Sequence, residues 1–131
     1  LSIFAGGSVA IGDGFEHLRD LSRPGAALYI GGMGARSKNF YNDIFSKSGY
    51  AAEAKTIQDL YLAGEKKAAE EAIPEEYLAN SSLIGPEGFV RERLHALKDS
   101  GVTSLNINLM GQEVGERVTQ LEKLRNLVDS M

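Results

Sequence analysis

The residues best placed to do chemistry cluster around one glycine-rich stretch, Gly31-Gly32-Met33-Gly34-Ala35-Arg36, with Lys38 just beyond it. Backbone N–H groups of such a run could approach an anion, and Arg36 and Lys38 would supply positive charge. The spacing fits neither a P-loop nor the dinucleotide fingerprint, because the lysine and the third glycine are misplaced. For an anion, the commoner reading of the same residues is a flexible turn between two helical pieces with charged flanks. Tyr29 and Tyr41 could line a pocket beside the glycines, although core filling is the commoner work of an aromatic ring. Gly85-Pro86 at a helix start offers N–H groups and a favourable dipole to an anion, and is also simply a good way to begin a helix. His17 and His95 have no acid or nucleophile at a readable spacing and are expected on the surface. The chain contains no cysteine, which removes disulfides, zinc-thiolate centres and thiol nucleophiles, and no metal site is expected.

The elements that must carry these residues follow from the apolar pattern. Residues 2–11 read as a buried strand with Gly6-Gly7 as a kink or bulge within it. Asp13, with Glu16 three residues on, has capping-box spacing and predicts a helix whose apolar spacing is Phe15, Leu18 and Leu21 or Ser22. Pro24-Gly25 interrupts, and Ala26–Ile30 could be a short strand or a buried helical turn. Helices are expected over 38–48, 50–63, 65–73 and 75–80, with Gly49 and Gly64 as stops. Residues 82–86 form a brief extended entry to a helix that Gly101 ends. A strand over 102–110 and a helix over about 113–131 close the chain. Strand–helix alternation predicts a parallel sheet in a single domain, residues 1–131, with a helical insertion over about 24–82.

The strand at 102–110 is the most informative. Leu105, Ile107 and Leu109 alternate with Ser104, Asn106 and Asn108. An ordinary parallel strand is apolar on both faces. A barrel strand has one face toward the helices and one toward the interior, and active sites sit at its carboxyl end. Asn108 is therefore a candidate pocket residue, with a structural hydrogen-bonding role for the two asparagines as the alternative.

Composition narrows the function classes. The 131 residues carry a formal charge of −4, so there is no basic stripe to neutralise phosphates of a nucleic acid. No apolar run approaches the ~20 residues of a membrane helix, and no basic region precedes an apolar start as in a signal peptide. A mildly acidic, cysteine-free chain fits the cytoplasm. The chain opens inside an apolar run without an initiator methionine, and we expect it to be part of something longer.

Several segments together resemble a known family. Leu28–Arg36 followed by Lys38–Asn42, then Ile57–Gly64, then Ser82–Pro86 with the helix around Val90–Leu94, then Gly101–Thr103, look like the C-terminal region of luciferase-like monooxygenases. The subgroup resembled is the one that uses the deazaflavin F420, and the likeness runs from about Val9 to the end. The resemblance implies a (β/α)8 TIM barrel, of which this chain would hold two parallel strands of the C-terminal part and the large helical insertion. It implies an oxidoreductase passing hydride between reduced F420, or alternatively FMN, and a small-molecule organic substrate. Substrate-pocket candidates are then Gly32, Met33, Gly34, Arg36, Tyr41 and Asn108, none with a proton-transfer role. Most of that family's cofactor cleft comes from earlier strands, so the isolated chain is expected to be inactive. A rival from another class is a non-catalytic interaction or oligomerisation fragment, whose open sheet edges dock on the remainder of a barrel or on a second copy.

Overall fold

The computed structural model describes residues 1–131. They form two compact units: residues 1–19 with 79–131, and residues 20–78.

The first unit is an α/β layer. Its sheet contains β1 (Phe4–Ile11), β2 (Leu83–Gly85) and β3 (Ser104–Leu109), all parallel, in the order β2-β1-β3. The expected parallel pairing of the two long strands is present, Phe4 opposite Ser104 through Val9 opposite Leu109. The expectation of two strands is corrected to three. Leu83–Gly85 is a strand and not merely a helix entry, because Val9, Ala10 and Ile11 pair with it. Gly6-Gly7 forms no bulge, since the register runs unbroken through both residues. A side chain at Gly6 would strike the Asn106 carbonyl, so the close approach of β3 requires glycine there.

Two helices, α6 (Glu87–Asp99) and α7 (Val114–Asp129), cover one face of this sheet. Val90 and Leu94 of α6 and Leu124 and Leu127 of α7 pack against Val9, Ile11 and Leu83, with Leu105, Ile107 and Leu109 joining from β3. The apolar face of β3 thus meets helices, as its alternation requires. Pro86 stands one position before α6, and Gly101 (φ 92°) follows its last turn. The Glu116 carboxylate accepts from the Gln112 and Glu113 amides, closing the start of α7.

The capping box expected at Asp13 and Glu16 does not form. Gly12 and Gly14 both take positive φ, so the chain turns there, and only a 3₁₀ segment over Glu16–Ser22 follows. Arg19 in that segment donates twice to the Ile84 carbonyl, at 2.9 and 2.6 Å, and lies over the Phe89 ring.

The second unit is all helical. It holds α1 (Arg23–Ala27), α2 (Phe40–Phe45), α3 (Ala51–Leu62), α4 (Lys66–Glu71) and most of α5 (Glu75–Asn80). Pro24 starts α1 instead of breaking a pattern, because its missing N–H falls in the first turn where none is needed. The ambiguous Ala26–Ile30 is helical, and α1 runs on into a π-helical turn over Leu28–Gly32. Gly49 (φ 103°) and Gly64 (φ 86°) stop their helices as expected. Ala27, Ile30, Phe45, Ala54, Ile57, Ala69, Ile73 and Leu78 make a separate core. No helix of either unit is long and apolar enough to cross a membrane.

Candidate functional site

The glycine-rich stretch is built by packing. Gly31 and Gly32 lie against Tyr61 of α3, and a Cβ on either would collide with that side chain. Absence of a side chain lets the π-helical turn touch α3, which is a structural reason for Gly32 independent of any ligand. Gly34 (φ 149°) passes close to the Lys38 carbonyl and also has no room for a Cβ. Two asparagines then lock the loop. Buried Asn39 caps α2 by accepting from the Asn42 amide at 3.0 Å, and its Nδ2 donates to the Tyr29 and Ile30 carbonyls at 3.0 Å. The Asn42 amide group donates to Ile30 and Ala54 carbonyls at 3.0 and 2.9 Å. These carbonyls lie in the irregular turn and in α3, where local geometry leaves acceptors to be filled.

Arg36 is already engaged. Its guanidinium pairs with Asp59 of α3, which also pairs with Lys55 at 2.6 Å. Hydrogen bonds from Lys55 and then Arg36 hold the Asp59 carboxyl below the usual carboxylate range. An incoming anion would have to compete with that ionised carboxylate for Arg36. Lys38 has no ion-pair partner. Tyr41 stands half exposed, its ring 4.8 Å from Tyr29 and 5.7 Å from Phe40, both in edge-to-face geometry. Met33 is also half exposed at the end of the π-helical turn.

Five of the six pocket candidates, Gly32, Met33, Gly34, Arg36 and Tyr41, thus fall in the helical unit, and Asn108 falls in the sheet unit. Asn106 and Asn108 are exposed and neither side chain makes a hydrogen bond, so the alternative of a structural hydrogen-bonding role for the two asparagines is not realised within this chain. The helices take the other face of β3, which leaves the Ser-Asn-Asn face uncovered. Ser8 of β1 is the register partner of Asn108 and lies on the same face. Further along, this face closes again, with Ala10 and Ile84 buried. His17 and His95 stand apart from any acidic partner, and no group of three or more metal-ligating side chains forms.

Clefts open on the helical side of the sheet unit. One of about 450 Å³ is lined by Leu94, Leu97, Val102, Leu105, Val128 and Met131 among others. A second, about 270 Å³, lies among Ile11, Glu87, Arg91, Lys123, Asn126 and Leu127. Neither includes Asn108. Beside the second cleft, sequence reasoning missed Gln120. Its Oε1 accepts from the Ile11 amide at 2.6 Å, its Nε2 donates to the Ile11 carbonyl, and Lys123 reaches the same carbonyl at 3.2 Å. The signal was weak: one polar residue at a helix position otherwise facing Leu124 and Leu127.

These features define a class: an α/β protein whose short parallel sheet carries helices on one face and polar side chains on the other. The luciferase-like monooxygenase family model matches residues 1–104, and the chain belongs to that family. A Mycobacterium tuberculosis protein named "Putative coenzyme F420-dependent oxidoreductase" is 34% identical over 83 residues. The match covers 63% of this chain and 24% of that relative, so the chain spans about a quarter of the relative's length.

Proposed function

We propose that this chain is the C-terminal part of a cytoplasmic luciferase-like oxidoreductase built on a (β/α)8 barrel, and that the intact enzyme passes hydride between reduced F420 and an organic substrate. Family membership and the name of the mycobacterial relative support the chemistry. One structural observation carries the barrel reading. Parallel sheets have both faces covered, yet β1 and β3 present Phe4, Ser8, Ser104, Asn106 and Asn108 on a face that no element of the sheet unit covers. A polar inward face at the strand carboxyl ends is what a barrel strand offers its ligand.

A bound deazaflavin supplies the hydride, and the protein supplies orientation and a dry cavity. The side chains here fit part of that task only. Asn108 and Ser8 have free hydrogen-bonding groups that could meet a polar ring edge, but they form an open wall and enclose nothing. No step of the reaction is therefore assigned to them, and the 131 residues alone are expected to turn over no substrate. The test is an absorbance titration of the purified chain, and of the same chain mixed with the remainder of a barrel, with F420 and with FMN. A perturbed F420 spectrum only in the reconstituted protein supports the proposal, and no perturbation by either cofactor there refutes it.

A second reading, a non-catalytic interaction fragment, is favoured by the strand order. A closed barrel sets consecutive strands side by side, which would place β2 between β1 and β3, whereas here β1 is central. Open edges on β2 and β3, and an exposed stripe of Val114, Val118, Leu121 and Val128 on α7, are surfaces for a second copy or a partner. Since the chain is cysteine-free, Ser8→Cys with Asn108→Cys reads the order directly. The isolated chain should cross-link. A reconstituted barrel in sequential order should not, and cross-linking in both favours the fragment reading.

A further inference from the structure

We propose that Asp13-Gly14 is a site of spontaneous covalent modification, at which the folded chain converts an aspartyl peptide link into an isoaspartyl one. The inference is independent of the cofactor and barrel readings.

The reaction needs a side-chain carboxyl and, directly after it, a backbone nitrogen that is unhindered and free of hydrogen bonds. Asp13 is the one aspartate or asparagine followed by glycine. Both residues are exposed, in the turn between β1 and the 3₁₀ segment over Glu16–Ser22. The Asp13 carboxylate makes no ion pair and no hydrogen bond. The Gly14 N–H donates to no acceptor in the chain, so attack by its nitrogen breaks no existing contact. Gly14 takes φ 82°, and even a Cβ built there would meet nothing within 4 Å, so the nitrogen can be approached.

Asp99 and Asp129 supply the contrast. Each is followed by a small residue, serine. The Ser100 N–H, however, donates to the Ala96 carbonyl at 3.0 Å, and the Ser130 N–H to the Asn126 carbonyl at 3.1 Å. Those nitrogens must leave a helix end before they can react, whereas that of Gly14 leaves nothing.

The step balances with water alone. The Gly14 nitrogen bonds to Cγ of Asp13, its proton leaves with the carboxyl hydroxyl as water, and a cyclic imide closes. Water then adds back. Cleavage between the nitrogen and Cγ restores aspartate. Cleavage between the nitrogen and the Asp13 backbone carbonyl carbon leaves the main chain running through the side chain. Nothing is oxidised or reduced. The main chain becomes one atom longer inside a loop tied to β2 at both ends: the Gly12 N–H donates to the Gly85 carbonyl at 2.9 Å, and Arg19 donates to the Ile84 carbonyl at 2.9 and 2.6 Å. The added length has to be taken up between those anchors.

The experiment ages the 131-residue chain at neutral pH, folded and in guanidinium chloride, and maps its peptides by mass spectrometry with an isoaspartyl methyltransferase as the probe. In the folded chain the Asp13 peptide should accumulate a methyl-accepting form of unchanged mass. Its rate should lie within about twofold of the unfolded chain, because an exposed turn has no opening cost. Asp99 and Asp129 should convert only in guanidinium chloride. Gly14→Ala should slow the conversion several-fold, and Asp13→Glu should abolish it. The glutamate variant keeps Gly14, so a change of fold at the turn does not account for its loss. Conversion of Asp13 in guanidinium chloride alone would overturn the inference. So would equal conversion of all three aspartates in the folded chain, or a rate indifferent to Gly14→Ala.

Discussion

Replacing Gln120 should unpin the carboxyl end of the central strand. β1 outruns β3 there: Val9 is the last residue of β1 with a partner on that side, opposite Leu109. Ile11, 2% exposed, still carries an N–H that must be satisfied away from water. The Gln120 carboxamide supplies the acceptor at 2.6 Å, acting as a substitute rung of the ladder from a helix 109 residues away. Gln120→Met keeps the length and apolar stem but removes the acceptor. The Ile11 carbonyl retains Lys123, so the net change is one stranded buried donor. That costs about 1–3 kcal/mol. The sharpest readout is hydrogen exchange at the Ile11 amide, which should quicken about 5- to 150-fold if exchange follows local opening. The urea midpoint should fall on the order of 1 M for a chain of this size. Thr119→Ala, on the same helix but exposed, is the control and should stay within about 0.5 kcal/mol. An Ile11 amide that exchanges no faster in Gln120→Met than in the parent would show that the carboxamide does not complete the strand.

Three further outcomes follow from the helical unit. Asn39→Ala removes the α2 cap and one donor each from the Tyr29 and Ile30 carbonyls, of which Ile30 keeps the Asn42 amide; the cap alone is worth about 0.5–2 kcal/mol, and thermal unfolding of Asn39→Asp, which keeps the cap but not the donors, should lie between alanine and parent. Gly31→Ala should overpack against Tyr61 and cost about 1–3 kcal/mol, and Gly31→Ala with Tyr61→Ala should recover part of that loss, whereas simple additivity in denaturation would dismiss the contact. Asp59 has a folded-state pKa below its unfolded value, so its contribution is present above the ordinary carboxylate range and fades as pH falls through the depressed value. Carboxyl NMR should show Asp59 titrating below the ordinary carboxylate range, and Lys55→Met should raise its pKa more than Arg36→Met does.

Much of the secondary structure was legible because its signals are local. Gly49, Gly64 and Gly101 end their helices by taking positive φ, which a side chain resists, so the residue type alone marks the stop. The alternation of Leu105, Ile107 and Leu109 with Ser104, Asn106 and Asn108 fixed both the strand and the face that meets helices. The start at Asp13 misled, since capping-box spacing ignores the flanking Gly12 and Gly14, which bend the chain away from a helix. Residues 83–85 are too few for periodicity to speak, and Ala26–Ile30 is apolar throughout, so strand and helix looked alike.

The amino-acid order by itself determined an α/β chain with two long strands, a helix-rich middle and membership-bearing segments around Leu28–Arg36 and Ser82–Pro86. Those properties depend on residues near one another along the backbone. Tertiary structure decided that β1 is central, that the asparagine face of β3 lies open, that Tyr61 is what the paired glycines accommodate, and that Arg36 is spoken for by Asp59. The pairings of β1 with β3, of Gly31 with Tyr61 and of Arg36 with Asp59 join groups far apart in sequence, and a side chain's partner at that range is set by how the elements pack, not by its spacing along the chain.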